Sequence, residues 1–270
     1  MSYTDLAEAI RNQRAILFVG AGVSKNVGVP TTDEVVAEIA KQLGQDPETF
    51  RSLGDHRALA EYYQLTKGTL GPLRSWMDVT WHQSKVDVRD SEIHRLIVEL
   101  SFPLIYTTNY DRWLERAYEA HGKEFTKIAN VGDLLEARAG VTQIVKFHGD
   151  FDDDASLVLT ESSFFERMDF ESALDIKLKS DALGRPVLFV GYSLSDINIR
   201  YLVFKLQRLW ESSSFNALRP KSYVFLRNSN PVQERVLRAR GIEPIVSPSE
   251  DPGEGLKRFL SGLLEEVRRK

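Results

Sequence analysis

Six short apolar runs, separated mostly by segments of helical periodicity, limit what this chain can become. They lie at 15–19, 103–107, 143–147, 186–190, 222–226 and 243–246. A continuous apolar run of this length suits a strand buried on both faces, because side chains of either parity then meet packed helices. Alternation of such strands with helices predicts an α/β protein built on a Rossmann-like parallel sheet of about six strands. Leu6, Ala9 and Ile10 form an apolar stripe before the first run. Thr31 opens a second helix, with Glu34 placed to complete a capping box and Val35, Val36, Ile39, Ala40 and Leu43 on its apolar face.

One interval departs from the alternation. Residues from about 45 to 100 contain no convincing strand, but Leu59/Tyr62/Tyr63, Leu73/Trp76/Met77 and Ile93/Leu96/Ile97/Leu100 fall at helical spacing. This predicts one domain over residues 1–270 with a helical insertion at about 45–100. Tyr62, Tyr63, Trp76 and Trp81 are expected to form the core of that insertion. Near the end of the chain, Leu256, Phe259, Leu260, Leu263, Leu264 and Val267 make an amphipathic stripe. The simplest expectation is a helix closing one face of the sheet; a contact between subunits is the alternative.

The chemistry collects where strands end, which is where ligands bind in open α/β sheets. The first run opens into Gly20-Ala21-Gly22-Val23-Ser24, followed by Gly28-Val29-Pro30. Gly20 permits a tight turn, and Gly22 lets backbone approach a pyrophosphate with no Cβ in the way. Lys25 stands where a dinucleotide fingerprint has its third glycine, and no Gly-Lys-Ser/Thr of a P-loop follows. Three further clusters follow later runs: Thr107-Thr108-Asn109-Tyr110-Asp111, Lys146-Phe147-His148-Gly149-Asp150 and Gly191-Tyr192-Ser193-Leu194-Ser195-Asp196. Taken singly, Asn109 and Asp111 could cap a helix, His148 could be a turn residue, and Gly191 could end a strand. Four clusters at four strand ends favour a shared site. His56, His82, His94 and His121 read as structural or exposed. The aspartates at 150 and 152–154 read as a solvated loop rather than a metal site, for want of partners at ligand spacing.

Composition closes off several classes. The net charge of −4 with dispersed signs gives no signal for nucleic acid. The absence of cysteine excludes disulfides, a thiol nucleophile and a Cys-ligated zinc, and is compatible with a cytoplasmic location. No signal peptide opens the sequence, and no apolar run approaches the roughly 20 residues of a membrane span.

In their order, Gly20-Ala21-Gly22-Val23-Ser24 with Gly28-Val29-Pro30, Thr108-Asn109-Tyr110-Asp111, His148-Gly149 and Gly191-Tyr192-Ser193 resemble the sirtuin fold. The forms Lys146-Phe147-His148-Gly149 and Gly191 to Asp196 resemble its divergent bacterial branch, the sirtuin-like NAD hydrolases of antiphage defence. The resemblance implies an NAD+ glycohydrolase that cleaves the nicotinamide–ribose bond to give nicotinamide and ADP-ribose. NAD+ is then the substrate, and no true cofactor is implied. Asn109 would contact the ribose or the attacking water, and His148 would be the general base. Gly20, Ala21, Gly22 and Ser24 would cradle the pyrophosphate, with Val23, Pro30 and Thr108 also among the NAD-binding residues. Asp111 would help orient the nicotinamide ribose or carboxamide, or hold Asn109 in place, and Gly191, Ser193 and Asp196 would meet the adenosine half.

Two departures bear on activity. The zinc module of deacylating sirtuins is missing, and Thr31-Thr32-Asp33 stand where those enzymes carry a Phe-Arg pair. Both point away from a protein deacylase or ADP-ribosyltransferase. A module that senses NAD or ADP-ribose without turnover is the other alternative. The resemblance further implies an abortive-infection effector. Its activity would be controlled by homo-oligomer assembly, or by a separate regulatory subunit such as a ring-forming ATPase, since a chain of this length leaves little room for a sensor domain.

Overall fold

Four consecutive residues with every side chain buried, Ile16–Val19, make the central strand β1. In the computed structural model, which describes residues 3–82, 86–168, 171–192, 197–247 and 249–269, it is flanked on both sides. The other strands are β2 (Leu104–Thr107), β3 (Phe125–Ile128), β4 (Thr142–Lys146), β5 (Val187–Val190), β6 (Ser222–Leu226) and β7 (Ile242–Val246). They form one sheet in the order β3-β4-β2-β1-β5-β6-β7, with every pairing parallel. Ile16 stands in register with Leu104 on one side and Val187 on the other.

The helices follow as α1 (Thr4–Arg11), α2 (Ala21–Ser24), α3 (Thr32–Gln42), α4 (Pro47–Arg51), α5 (His56–Lys67), α6 (Gly71–His82) and α7 (Glu92–Leu100). After β2 come α8 (Trp113–Ala120), α9 (Glu161–Met168), α10 (Ala173–Leu183), α11 (Ile197–Glu211), α12 (Pro231–Ala239) and α13 (Pro252–Arg268). The twofold alternation of strand side chains sorts them into layers. Leu17, Val19, Ile105, Ile144, Leu188 and Val190 face a core completed by α1, α7, α8 and α13. Ile16, Phe18, Leu104, Tyr106, Val145, Val187 and Phe189 face the opposite core, completed by α10, α11 and α12. A third core lies off the sheet, where α3, α4, α5 and α6 pack with Phe151, Leu157 and Leu159.

The structure bears on three of the expectations. The sheet has seven strands, because Phe125-Thr126-Lys127-Ile128 pairs with β4 at the sheet edge. Its residues alternate half-buried and buried, so it lacks the continuous apolar run of a central strand. The stripe on α13 is core: Leu256, Phe259, Leu260, Leu263 and Leu264 are all buried against the sheet, which leaves that face no surface to offer a second subunit. The acidic run is solvated at Asp152 and Asp154, as expected, but is anchored by a buried Asp150 and by ion pairs. Asp150 is 1% exposed; Asp152 pairs with Lys127 at 2.6 Å and Arg112 at 2.8 Å, and Asp154 with Arg74 at 2.6 Å. Among the described residues no helix is long and apolar enough to cross a membrane.

Candidate functional site

The carboxyl ends of β4, β2, β1 and β5 are neighbours in the sheet, so their four following turns converge. The chain leaves β1 toward β2 on one side and later returns to β5 on the other, which opens a crevice at this edge. The turns after β1, β2 and β5 form the floor of a cleft of about 460 Å³. That lies within the roughly 300–1,000 Å³ of small-molecule sites.

Backbone packs directly on backbone in the floor. Gly191 has φ +62°, and a Cβ there would sit 2.6 Å from the Val23 nitrogen. A Cβ on Gly20 would fall 2.5 Å from the Gly191 carbonyl oxygen, and one on Gly22 would fall 2.9 Å from it. The Gly22 N–H donates to the Gly191 carbonyl at 2.9 Å. The glycines therefore join the β1 and β5 turns to each other, and this N–H is engaged within the protein. Val23 points into the core and Ser24 is 2% exposed, while Ala21 and Gly22 face the cleft.

The β2 turn is fastened residue by residue. Thr107 Oγ1 donates to the Val19 carbonyl at 2.9 Å and accepts from the Asn109 N–H at 3.0 Å. Asn109 Nδ2 donates to Ser24 Oγ at 3.0 Å, bridging the β1 and β2 turns. That bond orients the carboxamide, so its Oδ1 is the atom able to accept from a ligand. Asp111 accepts from the Trp113 N–H at 3.1 Å at the start of α8 and also lines the cleft. His82 fixes the next residue: its Nδ1 bonds Asp78, and its Nε2 accepts from the Arg112 N–H at 2.9 Å. Under this turn lies His94, fully buried. Burial lowers its pKa to about 4, opposed by the Asp111 carboxylate.

His148 sits differently. It is 3% exposed and is not part of the cleft surface. Its ring packs edge-on against Phe164, with centroids 5.2 Å apart, and Phe164 does line the cleft. Gly149 makes the turn beyond it, with φ +94° and a Cβ position 2.2 Å from the Ser156 carbonyl. The His148 carbonyl accepts from the Val158 N–H at 2.9 Å.

Helices α3 and α6, with Leu159 from the segment before α9, supply the opposite wall. Val35, Val36, Ile39, Met77, Trp81 and Leu159 make it largely apolar. Trp81 is 7% exposed and packs against Tyr110 and Phe151 with centroids 6.2 and 5.5 Å away. It therefore fills the helical core, as its periodicity implies, and faces the cleft as well. Arg57 lies over the Phe164 ring at 4.6 Å, and Lys25 and His56 stand on the same lining. Cationic side chains beside a glycine turn suit an anionic ligand.

Of the sequence-predicted site residues, Ala21, Gly22, Pro30, Thr108, Asn109, Asp111 and Gly191 meet at the cleft. Gly20, Val23 and Ser24 lie beneath it, His148 stands behind Phe164, and Ser193 and Asp196 fall outside the described residues. Arg57, Met77, Trp81 and Phe164 are cleft residues that sequence reasoning missed. They come from three separate helices, and no local spacing marks them.

A family model described as "SIR2-like domain" matches residues 103–245. The chain is 30% identical over 200 residues to "NAD(+) hydrolase ThsA" of Enterococcus faecium, a match covering 73% of this chain and 41% of that protein. It is 25% identical over 240 residues to "Defense-associated sirtuin 2" of Bacillus subtilis, covering 86% and 23%. The chain thus spans well under half the length of these relatives. A chain solved in work on the mechanism and regulation of Sir2 enzymes superposes with a TM-score of 0.49 at 15% identity, covering 100% of this chain and 98% of that one.

Proposed function

The chain belongs to the SIR2-like domain family, and on that footing we propose that it is an NAD+ glycohydrolase releasing nicotinamide and ADP-ribose. The observation that carries the reading is the Asn109–Ser24 bond on the cleft floor. It holds a carboxamide on the floor of a cleft bounded by a glycine turn, in a chain similar to proteins named NAD(+) hydrolase.

The chemistry asks little of the leaving group. Nicotinamide is cationic in NAD+ and departs neutral, so it needs no acid. The protein must hold the ribose, tolerate oxocarbenium character at its anomeric carbon and place a water there. Asn109 Oδ1 accepts from a ribose hydroxyl or the water. Asp111 stands by the nicotinamide ribose. The exposed turn at Ala21 and Gly22, with Lys25 and Arg57 on the lining, receives the pyrophosphate. His148 takes the water's proton as general base once the Phe164 ring turns aside.

The test follows free nicotinamide from NAD+ and purified protein. Asn109→Ala and His148→Ala are each expected to lower turnover by on the order of 10² to 10⁴ with an unchanged circular dichroism spectrum. Full turnover in both variants would sink the assignment. The position of His148 behind Phe164 favours one second reading, a module that binds NAD or ADP-ribose without cleaving it. Calorimetric binding with no nicotinamide release would establish that instead.

The proposal extends to biology. Similarity to a protein named for defence supports an antiphage effector. Such an activity must be held off until infection. We place its control in the cytoplasm, in homo-oligomer assembly or a separate regulatory subunit. Native mass with and without NAD+ tests this; an unchanged monomer in both active and inactive preparations would count against assembly.

A further inference from the structure

The turn that carries Asn109 is gripped from below by a buried cation. Lys146, the last residue of β4, has no exposed surface. Its Nζ donates to the Tyr110 carbonyl at 3.3 Å and to the Asp111 carbonyl. Two carboxylates face the same ammonium, Glu115 Oε1 at 3.2 Å and Asp150 Oδ2 at 3.8 Å. These four contacts differ in kind. Neither Glu115 oxygen, nor Asp150 Oδ2, has a hydrogen bond of good geometry among the described residues. The directional bonds of the lysine thus go to the turn, and the carboxylates supply charge. Burial raises the Glu115 pKa and Lys146 opposes that rise, as expected of a counter-charge far from water.

A buried ammonium is a costly choice for filling a strand end, where an aliphatic side chain would pack without penalty. What the ammonium adds is three donors on one nitrogen, enough to hold two adjacent carbonyls and still face a carboxylate. Lys146 also begins the turn bearing His148, since its carbonyl accepts from the Gly149 N–H at 3.0 Å. One residue therefore touches both segments assigned to the chemistry.

We propose that Lys146 is a positioning residue, clamping the Tyr110 and Asp111 carbonyls so that the Asn109 turn and the His148 turn keep a fixed relation. Its kinetic form rests on the NAD-cleaving reading; its structural form stands on the contacts alone. Lys146→Met by itself strands Glu115 and loses stability for that reason. The informative variant is Lys146→Met/Glu115→Gln, which removes both charges, while Asp150 keeps Lys127 at 3.4 Å.

Two measurements are made on Glu115→Gln, on the double variant and on the unaltered chain. In hydrogen exchange, the Asn109, Arg112 and Trp113 amides of the double variant are expected to exchange at least about tenfold faster, with β1 unchanged. With NAD+ as substrate, kcat is expected to fall at least about tenfold and KM to stay within about twofold. Glu115→Gln, which keeps both carbonyl bonds, should match the unaltered chain in both. Lys146→Gln/Glu115→Gln, which restores a neutral donor, should recover part of the protection and covers the case in which methionine does not fold.

A folded double variant with full protection and full kcat would reduce Lys146 to a counter-ion and overturn the proposal. Loss of protection in Glu115→Gln would overturn it too, by moving the clamp to the carboxylate. If the unaltered chain releases no nicotinamide, the functional reading falls and hydrogen exchange still decides the clamp.

Discussion

The cleft floor and the cleft wall are built on opposite principles. On the floor, Gly20, Gly22 and Gly191 bring the β1 and β5 turns into backbone contact, and Asn109, Ser24 and Thr107 fasten the β2 turn to β1 and its turn by hydrogen bonds of 2.9–3.0 Å. On the wall, α3, α5 and α6 meet through apolar side chains around Trp81. Backbone contact has no slack, because nothing can rotate away. Side-chain contact tolerates exchange of similar volumes. A floor of the first kind fixes reacting groups, whereas a wall of the second kind fixes only the shape of the space.

The contrast can be broken by subtraction on one side and addition on the other. Trp81→Ala deletes an indole packed on Tyr110 and Phe151, and about 3–5 kcal/mol of stability is expected to go with it in urea denaturation. Trp81→Phe should cost far less; equal losses would mean the wall is as exacting as the floor. On the floor, adding one methyl is expected to approach the effect of removing a whole side chain. Gly191→Ala forces a left-handed φ on an L-residue and meets the Val23 nitrogen, for about 2–3 kcal/mol. A stability change near zero would show that the two turns can part.

The smallest effect comes from beneath the floor and depends on pH. The folded-state pKa of His94, about 4, lies below its ordinary 6.5. Its neutral burial therefore adds stability that is fully present above pH 6.5 and lost as pH falls toward 4. Between about pH 7.5 and about pH 5 the loss attributable to this residue is roughly 2 kcal/mol. His94→Gln should remove that part of the slope; an unchanged slope would place the titration elsewhere.

The same contrast explains what could be read from the sequence. Floor residues occur in clusters, because each cluster directly follows a strand, and strand ends in a parallel sheet are brought together by topology. Gly22, Asn109 and Gly191 could thus be assembled before any coordinates. Arg57, Trp81 and Phe164 belong to the wall, and nothing local distinguishes a helical residue beside a cleft from one elsewhere on its helix. His148 shows the limit from the other side. Its place after β4 was legible, but the Phe164 ring between it and the cleft depends on how α9 docks. β3 was missed for a related reason: an edge strand holding Lys127 beside Asp150 and Asp152 needs no continuous apolar run.

The register of β1 also bears on how the molecule forms. Its first residue pairs with Leu104 on one side and Val187 on the other, both distant in the chain. Large loops must close before these pairings are rewarded, which slows folding and leaves the apolar β1 without neighbours while later segments are still being synthesised. Because the glycine turn meets Gly191 only when β5 docks, the floor is completed late. A partly made chain of this kind holds no finished floor, and the cleft arises only with most of the sheet in place.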